Sequence, residues 1–174
     1  MKAHHIPFIE TGYFSDLMCD YLNDKKELAS FHSGIPSFES LYQQASTKKG
    51  VYSTETRKTL CETLYHQYTG LDLGIPVTEN LELLENDNTF TVTTGHQLCL
   101  MTGPLYFIYK IVSTIKLCRQ LKEKYYNLDF VPVYWMATED HDFEEISSFI
   151  FRGKKFKWNN EAGGAVGKIK TKSL

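Results

Sequence analysis

The stretch TFTVTTGHQLCLMTGPLYFIYK, residues 89–110, decides how this chain is read. Its opening run, Thr89 to Thr94, holds only β-branched residues and one phenylalanine, a composition that suits a pleated, half-buried strand. The polar turn Asn86-Asp87-Asn88 stands before the run and Gly95 closes it. After a loop containing Gly103, Pro104 opens a long helix, where proline's missing N–H costs nothing and its fixed φ suits the first turn. The stripe Leu105, Ile108, Ile111, Val112, Ile115 and Cys118 is expected to face the core, fading in the charged stretch that ends near Lys124.

Beyond that helix lies Phe130-Val-Pro-Val-Tyr-Trp-Met-Ala137, an almost unbroken apolar run. Such a run suits a parallel strand covered on both faces, because flanking helices leave no wet side for polar alternation. Strand, helix and strand then make a right-handed βαβ unit. Pro132 removes a ladder donor and belongs near the strand's start or at an edge.

Working backward, the first half reads as helices. Phe14, Leu17, Met18, Tyr21 and Leu22 follow a helical period around a cap at Ser15, and Phe38, Leu41, Tyr42 and Ala45 do so after Ser37. A third helix runs from about Thr54 to Tyr68, with Leu60, Leu64 and Tyr68 inward and Gly70 as its stop. Thr78 caps a short fourth helix carrying Leu81 and Leu84. Working forward, FRGKKFKWNN, residues 151–160, reads as a hairpin or loop. The fold class is therefore α/β, a Rossmann-like parallel sheet with an amino-terminal helical region. Residues 1–85 are expected to pack on the core, residues 86–150 to form the β-α-β core with the site, and residues 151–174 to begin a further segment. A doubly wound domain needs more strands than two, so the sequence reads as the front part of a longer protein.

A chain of 174 residues with 42% hydrophobic and 23% charged residues can bury one substantial core, which argues against disorder. The net charge of -2 supplies no basic field for a phosphate backbone, so no nucleic-acid partner is expected. No secretory signal pattern or apolar run of membrane-spanning length is visible, and the expected setting is the cytoplasm with no membrane partner. Cys19, Cys61, Cys99 and Cys118 are scattered and form no CxxC pair, so neither a zinc knuckle nor a redox motif is read. Cys61 and Cys118 fall in apolar helical patterns as small buried thiols, whereas Cys99 stands beside the candidate site.

In an open parallel sheet, ligands collect outside the carboxyl ends of the strands. Both polar clusters fall there: TGHQ (94–97) after the first strand and EDHD (139–142) after the second. Gly95 and Gly103 bracket a short loop where a phosphate or carboxylate can meet backbone N–H groups near Tyr106 at the positive end of a helix. The spacing matches neither GxGxxG nor the P-loop, since Lys110 lies too far into the helix. His96 can serve as acid, base or hydrogen-bond donor, or be a loop histidine with no such role. Gln97 can orient a ligand. Glu139, Asp140, His141 and Asp142, with Glu144 and Glu145 behind them, crowd five carboxylates and an imidazole together. That crowding calls for an ammonium, a metal such as Mg, Mn or Zn, or the amino end of a helix.

The two segments TFTVTTGHQLCLMTGPLYFIYK and VPVYWMATEDHDFEEI together resemble the bacillithiol biosynthesis cysteine-adding family, BshC. The likeness is close from about Thr89 to Phe149 and looser over the preceding helices. His96 is a departure, since family members often carry glutamine there. The resemblance implies a Rossmann-like core and a ligase that joins the carboxyl of cysteine to the amine of glucosaminyl malate. It also implies a carboxy-terminal coiled coil, outside this sequence, through which the family forms homodimers. The cofactor stays open: a nucleotide such as ATP is compatible with the fold, and no metal is implied. Asp140, His141, Asp142 and His96 are the expected catalytic residues. Thr94, Gly95, Gln97, Thr102, Gly103, Tyr106 and Glu139 are the expected substrate-binding ones. Two other readings compete, a nucleotide-binding or nucleotidyl-transfer domain with another acceptor and a non-catalytic fragment.

Overall fold

The computed structural model describes residues 4–160 and 163–173. The chain forms two compact units, one reaching to Thr56 and one starting at Arg57. In the first, α1 (Phe8–Thr11), α2 (Asp16–Leu22) and α3 (Phe38–Val51) follow one another. Ser15 Oγ accepts a hydrogen bond from Met18 N at 3.3 Å and Ser37 Oγ one from Ser40 N at 3.1 Å, so both serines cap as their side chains allow. Cys19 and Ala45 are the buried apolar residues of these helices.

The second unit holds the sheet. Strands β1 (Thr89–His96) and β2 (Asp129–Met136) pair in parallel, from Thr89 opposite Asp129 to His96 opposite Met136. Parallel neighbours need a crossover, and α6 (Leu105–Lys124) supplies it. On one face of the sheet Val131 and Val133 pack with Cys61 and Leu64 of α4 (Thr54–Gln67) and Leu84 of α5 (Ile75–Leu84). On the other face Phe107 of α6 meets Tyr134 edge to face at 5.5 Å. Pro132 lies inside β2 opposite Val92. A two-stranded sheet tolerates it there, because alternate N–H groups point away from the single partner.

Arg57 is the buried cation of this core, 7% exposed. Its guanidinium donates to Leu84 O at 2.8 Å and Thr89 O at 3.2 Å, and stands 3.5 Å from the Asp87 carboxylate. One side chain of α4 thereby fixes the end of α5 and the start of β1.

Three expectations are corrected. Helix α5 starts at Ile75, with Gly74 as its N-cap and a proline, Pro76, in its first turn, so Thr78 lies inside the helix instead of capping it. Proline's fixed φ sets that earlier start. The buried line of α6 runs through Thr114, Cys118 and Leu121, whereas Leu105, Ile108 and Val112 are exposed. Those three lie roughly 110–170° round the helix from that line. Thr114 can turn inward because its hydroxyl returns to Lys110 O at 2.8 Å. Coverage of β2 on both faces holds at Val131 but fails at Trp135 and Met136, both more than half exposed.

After β2, the short helix α7 (Phe143–Ile146) leads into an antiparallel hairpin, β3 (Ser148–Phe151) and β4 (Lys154–Lys157). Its turn residues Arg152 and Gly153 both have positive φ, 49° and 76°, the two-residue geometry whose twist matches that of the strands. Among the described residues no helix is long and apolar enough to cross a membrane.

Two outcomes follow. Arg57→Met leaves carbonyls without their charged donor and is expected to lower unfolding free energy in urea by about 2–3 kcal/mol. Burial pushes the Cys118 thiol from 9.0 up to about 11. The folded chain therefore favours the neutral thiol, and this contribution is complete below pH 9 and lost as the pH rises through about 11. Urea titrations across that window should show a decline that Cys118→Ala reduces.

Candidate functional site

The last residue of β1 is His96, and its position is fixed from β2. Tyr134 Oη donates to His96 O at 3.0 Å, and Ala137 N donates to the same oxygen at 3.1 Å. The imidazole is buried, at 8% exposure, and lies edge to face with Phe107 at 5.8 Å. Nε2 is 2.6 Å from Tyr106 Oη and 3.3 Å from Glu145 Oε1. Nδ1 is 3.0 Å from Gln97 O and 3.0 Å from Cys99 Sγ.

Glu145 joins these groups. Tyr106 Oη donates to its Oε1 at 2.9 Å and Gln97 Nε2 donates to its Oε2 at 2.6 Å. The histidine, the tyrosine, the glutamine and the glutamate thus form one connected network. It closes in either imidazole tautomer. With the proton on Nε2, Tyr106 gives its hydrogen to Glu145 and Nδ1 accepts the Cys99 thiol proton. With the proton on Nδ1, that N–H turns to Gln97 O and Nε2 accepts from Tyr106. The heavy atoms need not move, so the network can pass a proton.

Burial, and then the bond to Glu145, hold the Tyr106 phenol above its ordinary range. Burial, followed by the Glu145 charge, likewise raises the Cys99 thiol. Both groups therefore stay protonated at neutral pH, and Cys99 serves as a hydrogen-bond donor there, not as a thiolate.

The loop between β1 and α6 is tightly wound. Met101, Thr102 and Gly103 have φ of 48°, 68° and 60°, three consecutive left-handed residues. A Cβ at Gly103 would stand 2.6 Å from Cys99 Cβ and 2.7 Å from its Sγ, so only glycine lets this turn close on the cysteine. Lys110 returns from α6 to donate to Gly95 O at 2.6 Å. Its charge is thereby placed at the strand end. Thr94 lies opposite Tyr134 in the ladder, one residue before that glycine.

The acidic segment is spent differently. Asp140 Oδ1 accepts from the N–H groups of His141 and Asp142 at 2.6 and 3.0 Å, and Asp142 Oδ1 caps α7 by accepting from Glu145 N at 3.2 Å. Glu139 accepts from Trp135 Nε1 at 3.2 Å. The His141 imidazole is exposed, 3.8 Å from the Asp140 carboxylate. From this segment the fold brings Glu145 to TGHQ. The signal that would have singled it out is the D-x-x-E spacing of a helix start, which fixes the direction of the residue three places past the cap. Among the described residues no group of three or more His, Cys, Asp or Glu is placed to hold a metal ion.

A cleft of about 930 Å³ opens beside the network. Gly103, Pro104, Tyr106 and Glu145 form one wall, and Phe149, Phe151, Lys155 and Phe156 of the hairpin form the other. None of Glu139, Asp140, His141 and Asp142 lines it.

A parallel strand pair with a crossing helix, and polar side chains gathered where the strands end, defines a Rossmann-like α/β domain with an acid–base network at its rim. The whole chain, residues 1–174, matches the family described as "Bacillithiol biosynthesis BshC, N-terminal Rossmann-like domain", and it belongs to that family. It is 52% identical over 175 residues to a Flavobacterium psychrophilum protein named "Putative cysteine ligase BshC", covering 100% of this chain and 33% of the relative. A Flavobacterium johnsoniae protein of the same name is 50% identical over 174 residues, with the same shares covered. One from Bacillus mycoides is 35% identical over 146 residues, 81% of this chain and 26% of the relative. The chain spans about one third of the length of the relatives that match it in full.

Because Glu145 raises the Cys99 thiol, Glu145→Gln should shift the pH profile of Cys99 alkylation by iodoacetamide toward lower pH. An unchanged profile would mean that the carboxylate does not reach the thiol.

Proposed function

We propose that the full-length protein carrying this chain is a ligase that joins the carboxyl of cysteine to the amine of glucosaminyl malate. In this reading the network at the sheet rim is its proton acceptor. The observation that carries it is the 2.6 Å contact of His96 Nε2 with the half-exposed Tyr106 hydroxyl, braced by Glu145 on the edge of the cleft. Family membership supplies the reaction class.

Amide formation needs a neutral amine. The nitrogen attacks the activated carboxyl carbon, the C–N bond forms, the C–O bond to the leaving group breaks, and one proton leaves nitrogen. Tyr106 Oη accepts that proton while giving its own to His96 Nε2. The resulting imidazolium donates through Nδ1 to Gln97 O and stands 3.3 Å from Glu145. The carboxylate therefore stabilises the charge that develops during reaction. Gly95, Thr102 and Gly103 shape the loop around this relay in the same reading, with Thr94 at the strand end. Asp140 and Asp142 set the direction of α7 and so of Glu145. Glu139 and His141 lie on the turn that precedes that helix.

The test is product formation by the full-length protein supplied with cysteine and glucosaminyl malate, read by mass spectrometry. His96→Ala and Tyr106→Phe should each slow it by about 10²–10⁴-fold. His141→Ala should change it little. Undiminished product from both His96→Ala and Tyr106→Phe would remove the relay, and a different acceptor consumed in place of glucosaminyl malate would remove the reaction.

A further inference from the structure

Cys99 touches the network at the rim and has no part in the relay. Its Sγ lies 3.0 Å from His96 Nδ1 and 3.2 Å from Gln97 O, and Nδ1 and Gln97 O are themselves 3.0 Å apart. Three heavy atoms thus sit pairwise within hydrogen-bond reach. The left-handed turn at Gly103 closes on the sulfur so tightly that a Cβ there would stand 2.7 Å from it, which limits where Sγ can go. Burial, and then the Glu145 charge, keep the thiol protonated at neutral pH, so Cys99 brings one S–H to this triangle.

That hydrogen separates the two forms of the neutral imidazole. When S–H points at Nδ1, the ring proton is on Nε2, Nε2 donates to Tyr106 Oη, and the phenol donates to the Glu145 carboxylate. When the ring proton is on Nδ1, it and the S–H both turn to Gln97 O, and the phenol leaves Glu145 to donate to Nε2. Each form makes three bonds, but the bonds differ in kind. The first form includes one to an anionic acceptor, roughly twice as strong as one between neutral groups. The second leaves Glu145 Oε1 without the phenol's hydrogen and 3.3 Å from an unprotonated Nε2. The first is therefore the resting form, and it depends on the thiol. Without S–H, a bare Nδ1 would face Gln97 O at 3.0 Å, acceptor against acceptor with no hydrogen between them.

We propose that Cys99 is a positioning residue that sets the His96 tautomer: its S–H holds the ring proton on Nε2 at rest, and its turn to Gln97 O accompanies the form whose Nε2 can accept from Tyr106. The tautomer follows from the geometry alone, whereas its consequence for amide formation rests on the ligase reading. In that reading the relay idles while Nε2 carries the proton. An amine that donates to Glu145 from the cleft replaces the phenol's hydrogen there and frees the phenol for Nε2. One proton then leaves Nε2 and one arrives at Nδ1, so the ring stays neutral and the relay is armed.

The experiment is magic-angle-spinning 15N spectroscopy of the full-length protein, without substrates, labelled with histidine that carries the isotope at Nδ1 only. A His96→Gln variant identifies the His96 signal by its disappearance. Protonated and unprotonated Nδ1 resonate far apart, so the spectrum reads the tautomer directly. Wild type should show an unprotonated Nδ1. Cys99→Ala should shift the balance toward protonated Nδ1 by roughly five- to ten-fold, the size of one net hydrogen bond. Cys99→Ser, which disturbs the packing but keeps an O–H donor, should retain the wild-type signal. A protonated Nδ1 in the wild type, an unchanged signal in Cys99→Ala, or a serine variant that behaves as the alanine one overturns the inference. If amide product still forms in that event, the ligase reading stands without it. If the tautomer pattern holds but no amide forms, Cys99 keeps its role at His96 and the ligase reading falls.

Discussion

The parallel pairing of β1 with β2 is the constraint on which the second unit depends. Because the strands run the same way, one rim receives both of their carboxyl ends, and the chain must cross the sheet as a helix to return. Helix α6 does this between His96 and Asp129, and its amino end then lies over the same rim. Registry matters as much as direction. His96 is opposite Met136, so the next residue of the second strand, Ala137, can donate to the His96 carbonyl, and Tyr134 reaches the same oxygen. A slip of one residue would turn the imidazole to the other face of the sheet. Arg57 secures the opposite end of β1 through Thr89 O.

At the rim, the convergence is electrostatic. Glu145 is the acceptor on which Tyr106 and Gln97 converge and the anion nearest the imidazole. It arrives by a short helix whose start is set by Asp142 and whose preceding turn is tied by Asp140. Asp140 and Asp142 thus act on backbone N–H groups, whereas Glu145, farther along, acts on side chains. The loop opposite has two non-glycine residues, Met101 and Thr102, in the left-handed region, strain of a kind that tends to gather at functional sites. That loop and the hairpin enclose the cleft from two sides, and Tyr106 and Glu145 of the network line it.

Much was legible before any coordinates, where the physics is local. Ser15 and Ser37 cap helices by bonding N–H groups three residues on, a reach visible in a short window. The β-branched run after Asn88, the apolar run after Asp129 and the proline before Leu105 announced strand, strand and crossover. The segment after Ile150 was read only as a hairpin or loop, and the Arg152-Gly153 turn that settles it as a hairpin came from the structure. Where a local cue was passed over, as with Pro76 in the first turn of α5, the element shifted by a few residues and kept its identity.

What the sequence by itself determined is therefore the kind of each element and the end of the sheet at which polar side chains gather, because backbone propensity and strand direction act over a few neighbouring residues. What only the tertiary structure decided is which side chains meet. Gln97 and Glu145 are 48 residues apart, and their contact depends on strand register and the rotation of α7 together. Likewise the buried line of α6 was chosen by packing against two narrow strands, from an apolar stripe wider than they could cover. Side-chain encounters of that kind are set by the sum of many packed contacts, and no local window contains that sum.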